Sequence, residues 1–169
     1  MRVHRVPERG GKTAAQNIGV GLARGEVLVF TDANSMYAPD ALKRLLAPLA
    51  DDRIGCVCGE LQYADSDAGG VGKGEGTYWS YEQFLKQRES LLSSALGANG
   101  AIYALRRELF EELDSDIISD FIMPIRVWRR GYRVVYEPKA IALESSGGSF
   151  HDEVRRRRRL ISRSLYGLW

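Results

Sequence analysis

The chain has 169 residues, of which 44% are hydrophobic and 27% charged, with 24 Lys and Arg against 22 Asp and Glu. This composition is typical of one globular α/β domain and excludes a disordered or fibrous protein. Cys56 and Cys58 are accompanied by only two His, so we expect no disulfide framework, no zinc site and a reducing compartment. We also expect the two thiols to lie on opposite faces of a strand.

The net charge of +2 is unevenly distributed. Residues 151–169 hold six Arg against two acidic residues, a local charge of +4, and the rest of the chain sums to −2. A uniformly basic nucleic-acid-binding protein is therefore excluded, whereas a local anion site or a contact with a membrane surface stays open. Because no apolar run approaches the roughly 20 residues of a transmembrane helix and no signal peptide opens the chain, we expect a soluble domain.

Apolar runs alternate with turn residues along the chain. In order, the pattern predicts a helix over 12–23, a buried strand over 27–31, a helix over 39–49, a strand over 54–61 and a Gly-rich loop over 64–76. It then predicts a helix over 77–92, a strand over 101–105, helices over 107–113 and 120–130, a strand over 133–137 extended by 140–143, and a basic helix from about residue 151. The alternation indicates a single domain with a mixed or mainly parallel sheet.

The first candidate site follows the strand over 27–31. In open α/β sheets ligands gather beyond the carboxyl ends of strands, where Asp32 and Asn34 lie. A carboxylate and an amide oxygen two residues apart can face one hard divalent cation. The same two residues can equally cap a turn before the next helix. A phosphatase-type pair is disfavoured because Asn34 cannot act as a general acid.

Three other segments carry charge at the start of a predicted helix. Gly10, Gly11 and Lys12 can present backbone N–H groups and an ammonium to an anion, or be a flexible turn with a solvated lysine. Asp120 can serve chemistry, although any acid in a first helical turn is favoured by the helix dipole. The run of five Arg at 155–159 is typical of a solvated face, yet on a helix at least one of the five would point back at the domain.

Taken together and in order, these segments resemble family 2 glycosyltransferases. The resemblance is carried by GGKTAAQNIGVGLARGEVLVFTDANSMYAPDAL, by GANGAIYALRRELF and by SDFIMPIRVWRRGYRVVYEPKA. The final Arg run is similar to the Gln-x-x-Arg-Trp element of processive members. The missing Gly-x-Gly-x-x-Gly after a strand argues against a Rossmann dehydrogenase.

The resemblance implies a fold, an activity and a set of site residues. The fold would be a GT-A-like mixed, mainly parallel sheet flanked by helices, forming a partial catalytic domain over 1–169 that lacks the N-terminal strands. The activity would be inverting transfer of a sugar from a nucleoside diphosphate sugar to an acceptor hydroxyl. Asp120 would be the base, Asp32 and Asn34 would hold Mg²⁺ or Mn²⁺, and the substrates would contact Gly11, Lys12, Asn17, Asp32, Asn99, Gly100, Arg156 and Arg159.

The resemblance also implies partners and a location. The acceptor would be a saccharide or lipid-linked, in cell-surface polysaccharide or glycolipid synthesis at the cytoplasmic face of a membrane. Three departures stand out, because Asn34, Ser119 and Arg156 occupy positions where many members have Asp, an acid and Gln. Without the base-binding strands we expect weak binding of nucleoside diphosphates. The alternative is an incomplete domain that folds and self-associates but does not catalyse.

Overall fold

The structure is a computed structural model that describes residues 3–6, 10–63, 83–95 and 97–145. The predicted Gly-rich loop over 64–76, the first residues of the predicted helix over 77–92 and the predicted basic helix from 151 lie outside the described residues.

Helices and strands alternate along the described chain much as predicted. The helices are α1 (Gly11–Leu22), α2 (Ala41–Leu46), α3 (residues 83–92) and α4 (Ser119–Arg129), with short 3₁₀ turns at Ala47–Ala50 and Arg107–Leu109. The strands are β1 (Val27–Phe30), β2 (Met36–Tyr37), β3 (Ile54–Tyr63), β4 (Tyr103–Arg106) and β5 (Arg133–Glu144). The two-residue strand β2 was missed, since it is too short to show a period.

The five strands form one sheet in the order β1-β4-β3-β5-β2. β3 pairs with β5 in parallel, and the other described pairings are antiparallel. The predicted mixed sheet is thus confirmed, with β1, β3 and β5 running in one direction. The carboxyl ends of these three strands and the amino end of β4 therefore share one edge, where the sequence predicts the site.

A hydrophobic core covers each face of the sheet. On one face α4 contributes Ile122, Met123 and Val127, and Val20 and Ala23 of the α1 region pack at its margin. On the other face α2 and the following turn contribute Ala41, Leu45 and Leu49. α1 and α4 lie on the same face, and a contact between Lys12 and Asp120 brings their first turns to the same edge of the sheet.

Two predicted boundaries differ for identifiable reasons. Pro138 was expected to end a strand, yet β5 continues through it. The register between β3 and β5 shifts between Cys58 and Glu60, so the proline falls in an irregular stretch that needs no ladder hydrogen bond from its nitrogen. The helix predicted over 39–49 tightens into a 3₁₀ turn at Ala47, where Pro48 follows.

The prediction that Cys56 and Cys58 face opposite sides of the sheet is wrong. Both side chains lie in the core on the α4 face, whereas Val57 lies in the opposite core. Side chains alternate along a strand with a period of two, so residues two apart share a face. A hydrogen bond with Cys58 and burial together raise the pKa of the Cys56 thiol, which is therefore an inert core group.

Candidate active site

Four residues from separate elements meet at the edge formed by the carboxyl end of β1. Lys12 lies in the first turn of α1, Asp32 follows β1, Gly100 precedes β4, and Asp120 lies in the first turn of α4. The Lys12 Nζ atom lies 2.6 Å from Oδ1 of Asp32 and 3.3 Å from Oδ2 of Asp120. One ammonium group thus bridges two carboxylates, and we call these four residues the edge cluster.

Lys12 sits between the core and solvent. Its side chain is 40% exposed, against 34% for Asp32 and 19% for Asp120. Burial lowers the pKa of Lys12, but the charges and hydrogen bonds of Asp120 and Asp32 outweigh burial and raise it above the ordinary value. The ammonium is therefore charged at any physiological pH.

Gly100 allows the three charged side chains of the edge cluster to come close to the backbone. A Cβ atom built on Gly100 would collide with Oδ2 of Asp120 and would lie 2.5 Å from Nζ of Lys12 and 3.2 Å from Oδ2 of Asp32. The backbone of Gly100 is not in the left-handed region, so glycine is required here for room and not for conformation. All three charged side chains converge on this one Cα.

The loop that carries Gly100 is tied to α4 by an unusual hydrogen bond. Pro124 lies inside α4 and has no N–H to donate to the carbonyl of Asp120, four residues earlier. The N–H of Ala98 donates to that carbonyl instead, at 2.9 Å. Asn99 closes the loop, since its Oδ1 accepts from the N–H of Ala101 at 3.2 Å. Pro124 thereby frees the carbonyl that fixes Gly100 beside Asp120.

A second set of contacts fixes the approach to Asp120 from the other side. The Thr13 hydroxyl donates to the Ile117 carbonyl at 2.6 Å, and Nδ2 of Asn17 donates to the Leu113 carbonyl at 2.8 Å. The Ser119 hydroxyl donates to Oε1 of Gln16 at 2.5 Å. Successive turns of α1 therefore hold the segment over 113–119 and align the start of α4 with Lys12.

Two tyrosines, the buried Tyr103 and the half-buried Tyr37, lie near the charged residues. The Tyr103 ring stacks on Phe30 at 4.7 Å, and burial followed by the charge of Asp120 raises its pKa well above the ordinary value. Burial also raises the pKa of Tyr37, with a smaller contribution from the charge of Asp32. Both phenols therefore stay protonated as hydrogen-bond donors beside the carboxylates.

The oxygen donors at this edge suit a hard divalent cation. Asp32 and Asp120 supply carboxylates, and Asn34 lies exposed in the turn that begins with the hydrogen bond from the Ser35 N–H to the Asp32 carbonyl. The part of the chain that the structure describes contains no cluster of three or more His, Cys, Asp or Glu side chains arranged to hold a metal ion. A divalent ion would therefore rely on few acidic ligands from this chain.

The structure brings some of the predicted site residues together and places others elsewhere. Lys12, Asp32, Gly100 and Asp120 come together, and Asn99 shapes their loop. Gly11, at the first position of α1, has a φ of 83°, a conformation that favours glycine. Arg156 and Arg159 lie outside the described residues.

Asn17 was predicted to line the nucleotide-sugar side. Its amide is occupied by the Leu113 backbone, since its Nδ2 donates to the carbonyl and its Oδ1 lies 3.5 Å from the amide nitrogen. The structure thus shows Asn17 in a positioning contact, and its contact with substrate stays a prediction.

Sequence reasoning missed several residues that support the edge cluster. Thr13 and Gln16 lie in the same turns of α1 as Lys12 and Asn17, so their helical spacing is a usable signal. Pro124, inside a predicted helix, is a second signal, because such a proline always frees one carbonyl. Tyr37 and Tyr103 carry no signal of their own. Within the described ranges no helix is long and apolar enough to cross a membrane.

Comparisons with known proteins identify relatives of this chain. The chain is 26% identical over 149 residues to an N-acetylglucosaminyltransferase of Rhizobium meliloti, covering 80% of this chain and 35% of that protein. It is similar in structure to the mannosyltransferase PcManGT of Pyrobaculum calidifontis in complex with GDP-Man and Mn²⁺, with a TM-score of 0.73 and 25% identity over 90% of this chain and 41% of the other.

A second solved structure, the glucosyl-3-phosphoglycerate synthase of Mycobacterium tuberculosis in complex with Mn²⁺, UDP and glucosyl-3-phosphoglycerate, shares the fold. Its TM-score is 0.62 at 20% identity, over 96% of this chain and 56% of that one. The chain thus spans between about a third and just over half of the length of these relatives. The model of the family named Glycosyl transferase family 2 matches residues 1–114. The chain therefore belongs to glycosyl transferase family 2.

Proposed function

We propose that the edge cluster transfers a sugar, with inversion, from a nucleoside diphosphate sugar to an acceptor hydroxyl. The observation that carries the proposal is the convergence of Asp32, Lys12 and Asp120 on Gly100, which brings a carboxylate for a base, a cation and a second carboxylate to one open edge. A diphosphate leaving group needs neutralisation of its developing charge and no general acid. An incoming hydroxyl needs one base, and one carboxylate suffices.

Each charged residue has a role in this proposal. Asp120 accepts the proton of the acceptor hydroxyl, and the first turn of α4 fixes its direction. Lys12 faces the side on which negative charge develops. Gly11, Asn17, Asn99 and Gly100 shape the pocket for the donor, and Arg156 and Arg159 approach the diphosphate or the acceptor. Mg²⁺ or Mn²⁺, held by Asp32 and Asn34, supplies charge neutralisation of the diphosphate when bound.

The acceptor and the cellular setting belong to the same proposal. A saccharide or lipid-linked acceptor fits a role in cell-surface polysaccharide or glycolipid synthesis at the cytoplasmic face of a membrane. The basic sequence over 155–159, followed by apolar and aromatic residues, supports a contact with anionic membrane surface.

The direct test is release of nucleoside diphosphate from UDP- and GDP-linked sugars at millimolar concentration in the presence of Mn²⁺. We expect metal-dependent release by the wild-type chain and loss of it in Asp32→Asn, because Asp32 is the acidic ligand assigned to the metal. Asp52→Asn, which changes an exposed carboxylate elsewhere, is the matched control. If the wild-type chain released no nucleoside diphosphate, the result would contradict the proposal for this chain and favour the alternative below.

The alternative is an incomplete domain that folds and self-associates without catalysis. One edge of the sheet favours it. On the side of β1 that faces away from β4, no strand of the described residues pairs with it. Val29 in β1 is 39% exposed. By contrast, two amides of β5 are paired with side chains, since the N–H of Val134 donates to Ser94 Oγ and that of Tyr136 to Ser90 Oγ. An uncovered apolar edge strand is a template for pairing with another chain.

This alternative predicts an oligomer in which β1 pairs with β1 of a second copy. Val29→Lys should lower the average mass measured by light scattering, because a lysine on an exposed edge position opposes strand pairing. Met36→Lys changes a 71% exposed residue at the opposite edge of the sheet and should leave the mass unchanged. A monomer at high protein concentration would contradict the alternative.

A further inference from the structure

Lys12 pairs more closely with the residue assigned to the metal than with the residue assigned as the base. Its Nζ atom lies 2.6 Å from Asp32 and 3.3 Å from Asp120. Among the described residues, no basic side chain other than Lys12 forms an ion pair with Asp32 or Asp120. The ammonium therefore provides the positive charge that the two carboxylates need when they face each other.

We propose that Lys12 is an internal counter-cation that competes with the divalent cation for Asp32 and thereby sets how tightly the site holds its metal. The proposal deepens the proposed function and rests on it for the identity of the ion. A divalent cation held by Asp32 would compete for the carboxylate that now accepts from the ammonium. With Lys12 the pair of carboxylates carries one net negative charge, and without it two, and cation affinity follows the charge count of the ligands.

The Lys12 side chain can move when its ammonium leaves Asp32. The Lys12 side chain is 40% exposed and carries four flexible carbons, so its charge can turn without disturbing the core. It keeps a partner, since Asp120 lies beside it. Gly100 places no Cβ atom at the point where the three side chains meet, so its own side chain does not hinder this movement. The geometry thus suits exchange of one cation for another.

The test is titration with Mn²⁺ alone, followed by electron paramagnetic resonance, with no nucleotide present. In Lys12→Met the dissociation constant for Mn²⁺ should fall by about tenfold relative to the wild-type chain, because the competing charge is gone. Lys12→Arg retains the charge and should bind like the wild type. Lys43→Met, which changes a lysine on α2, is the control for general charge effects.

Thermal unfolding gives an independent reading that also reports whether the variant folds. Metal-free Lys12→Met should unfold at a lower temperature than the wild type, because two carboxylates lose their counter-charge, and Mn²⁺ should raise its Tm more than that of the wild type. Unchanged or weaker Mn²⁺ binding in Lys12→Met, or no detectable binding, overturns the inference. A chain that behaves as expected here but releases no nucleoside diphosphate removes the proposed function and leaves the competition between Lys12 and Mn²⁺ standing.

Discussion

Asp120→Asn is expected to lower the rate of sugar transfer by about 10³-fold while leaving the affinity for the nucleoside diphosphate sugar within about threefold. The amide has nearly the shape of the carboxylate but cannot accept the proton of the acceptor hydroxyl. Asp120 lies in the first turn of α4 with its side chain 19% exposed, so the change removes a charge without emptying a core position. Single-turnover transfer with saturating donor, together with calorimetric donor binding, separates the two effects.

Asp114→Asn is the matched control for Asp120→Asn. Asp114 precedes α4 in the same segment but is exposed, so its substitution should change neither rate nor donor affinity. Transfer by Asp120→Asn at near the wild-type rate would show that another group removes the proton. Equal losses in rate and donor affinity would instead show that Asp120 acts in ground-state binding.

Helix and strand positions could largely be predicted from the sequence because their signals are local. Strand β1 is a short apolar run before Asp32, and α4 ends at Arg129, two residues before Gly131, whose φ of 86° suits glycine. At Pro138 a partner distant in sequence decided the outcome. Pro138 does not end β5, because a register shift against β3 accommodates it.

The edge cluster could be predicted only in part. Each of Lys12, Asp32 and Asp120 had an ordinary structural explanation from its own neighbourhood, and the family resemblance was needed to join them. The reason is physical, since the Lys12 and Asp120 side chains meet across 108 residues of chain, and helical spacing or strand alternation carries no information over that distance.

Asn17 is an example of a residue whose role depends on such a distant partner. The family resemblance implied contact with substrate, and the structure adds that its amide holds the Leu113 carbonyl 96 residues away. Thr13 and Gln16 do the same for Ile117 and Ser119. A polar helix face has the same sequence pattern whether it meets a ligand, a loop or water, so the contact partner had to come from the fold.

Gly100→Ala is expected to reduce transfer by at least about 100-fold, because displacing reacting groups by about 1 Å costs that much in rate. The added Cβ would collide with Oδ2 of Asp120 and approach Nζ of Lys12 to 2.5 Å. These atoms are the far ends of side chains, so they can move aside while the backbone stays in place. We therefore expect a folded variant with a Tm within a few degrees of the wild type and a misaligned base.

The matched control for Gly100→Ala is Gly19→Ala. Gly19 lies within α1, and a Cβ there meets nothing within 4 Å, so alanine should stabilise the helix by about 0.5–1 kcal/mol without changing transfer. Transfer rates and thermal unfolding of both variants test the pair of expectations. Wild-type transfer by Gly100→Ala would mean that the three side chains already have room to spare around Gly100, and that their convergence on its Cα does not set the alignment of Asp120.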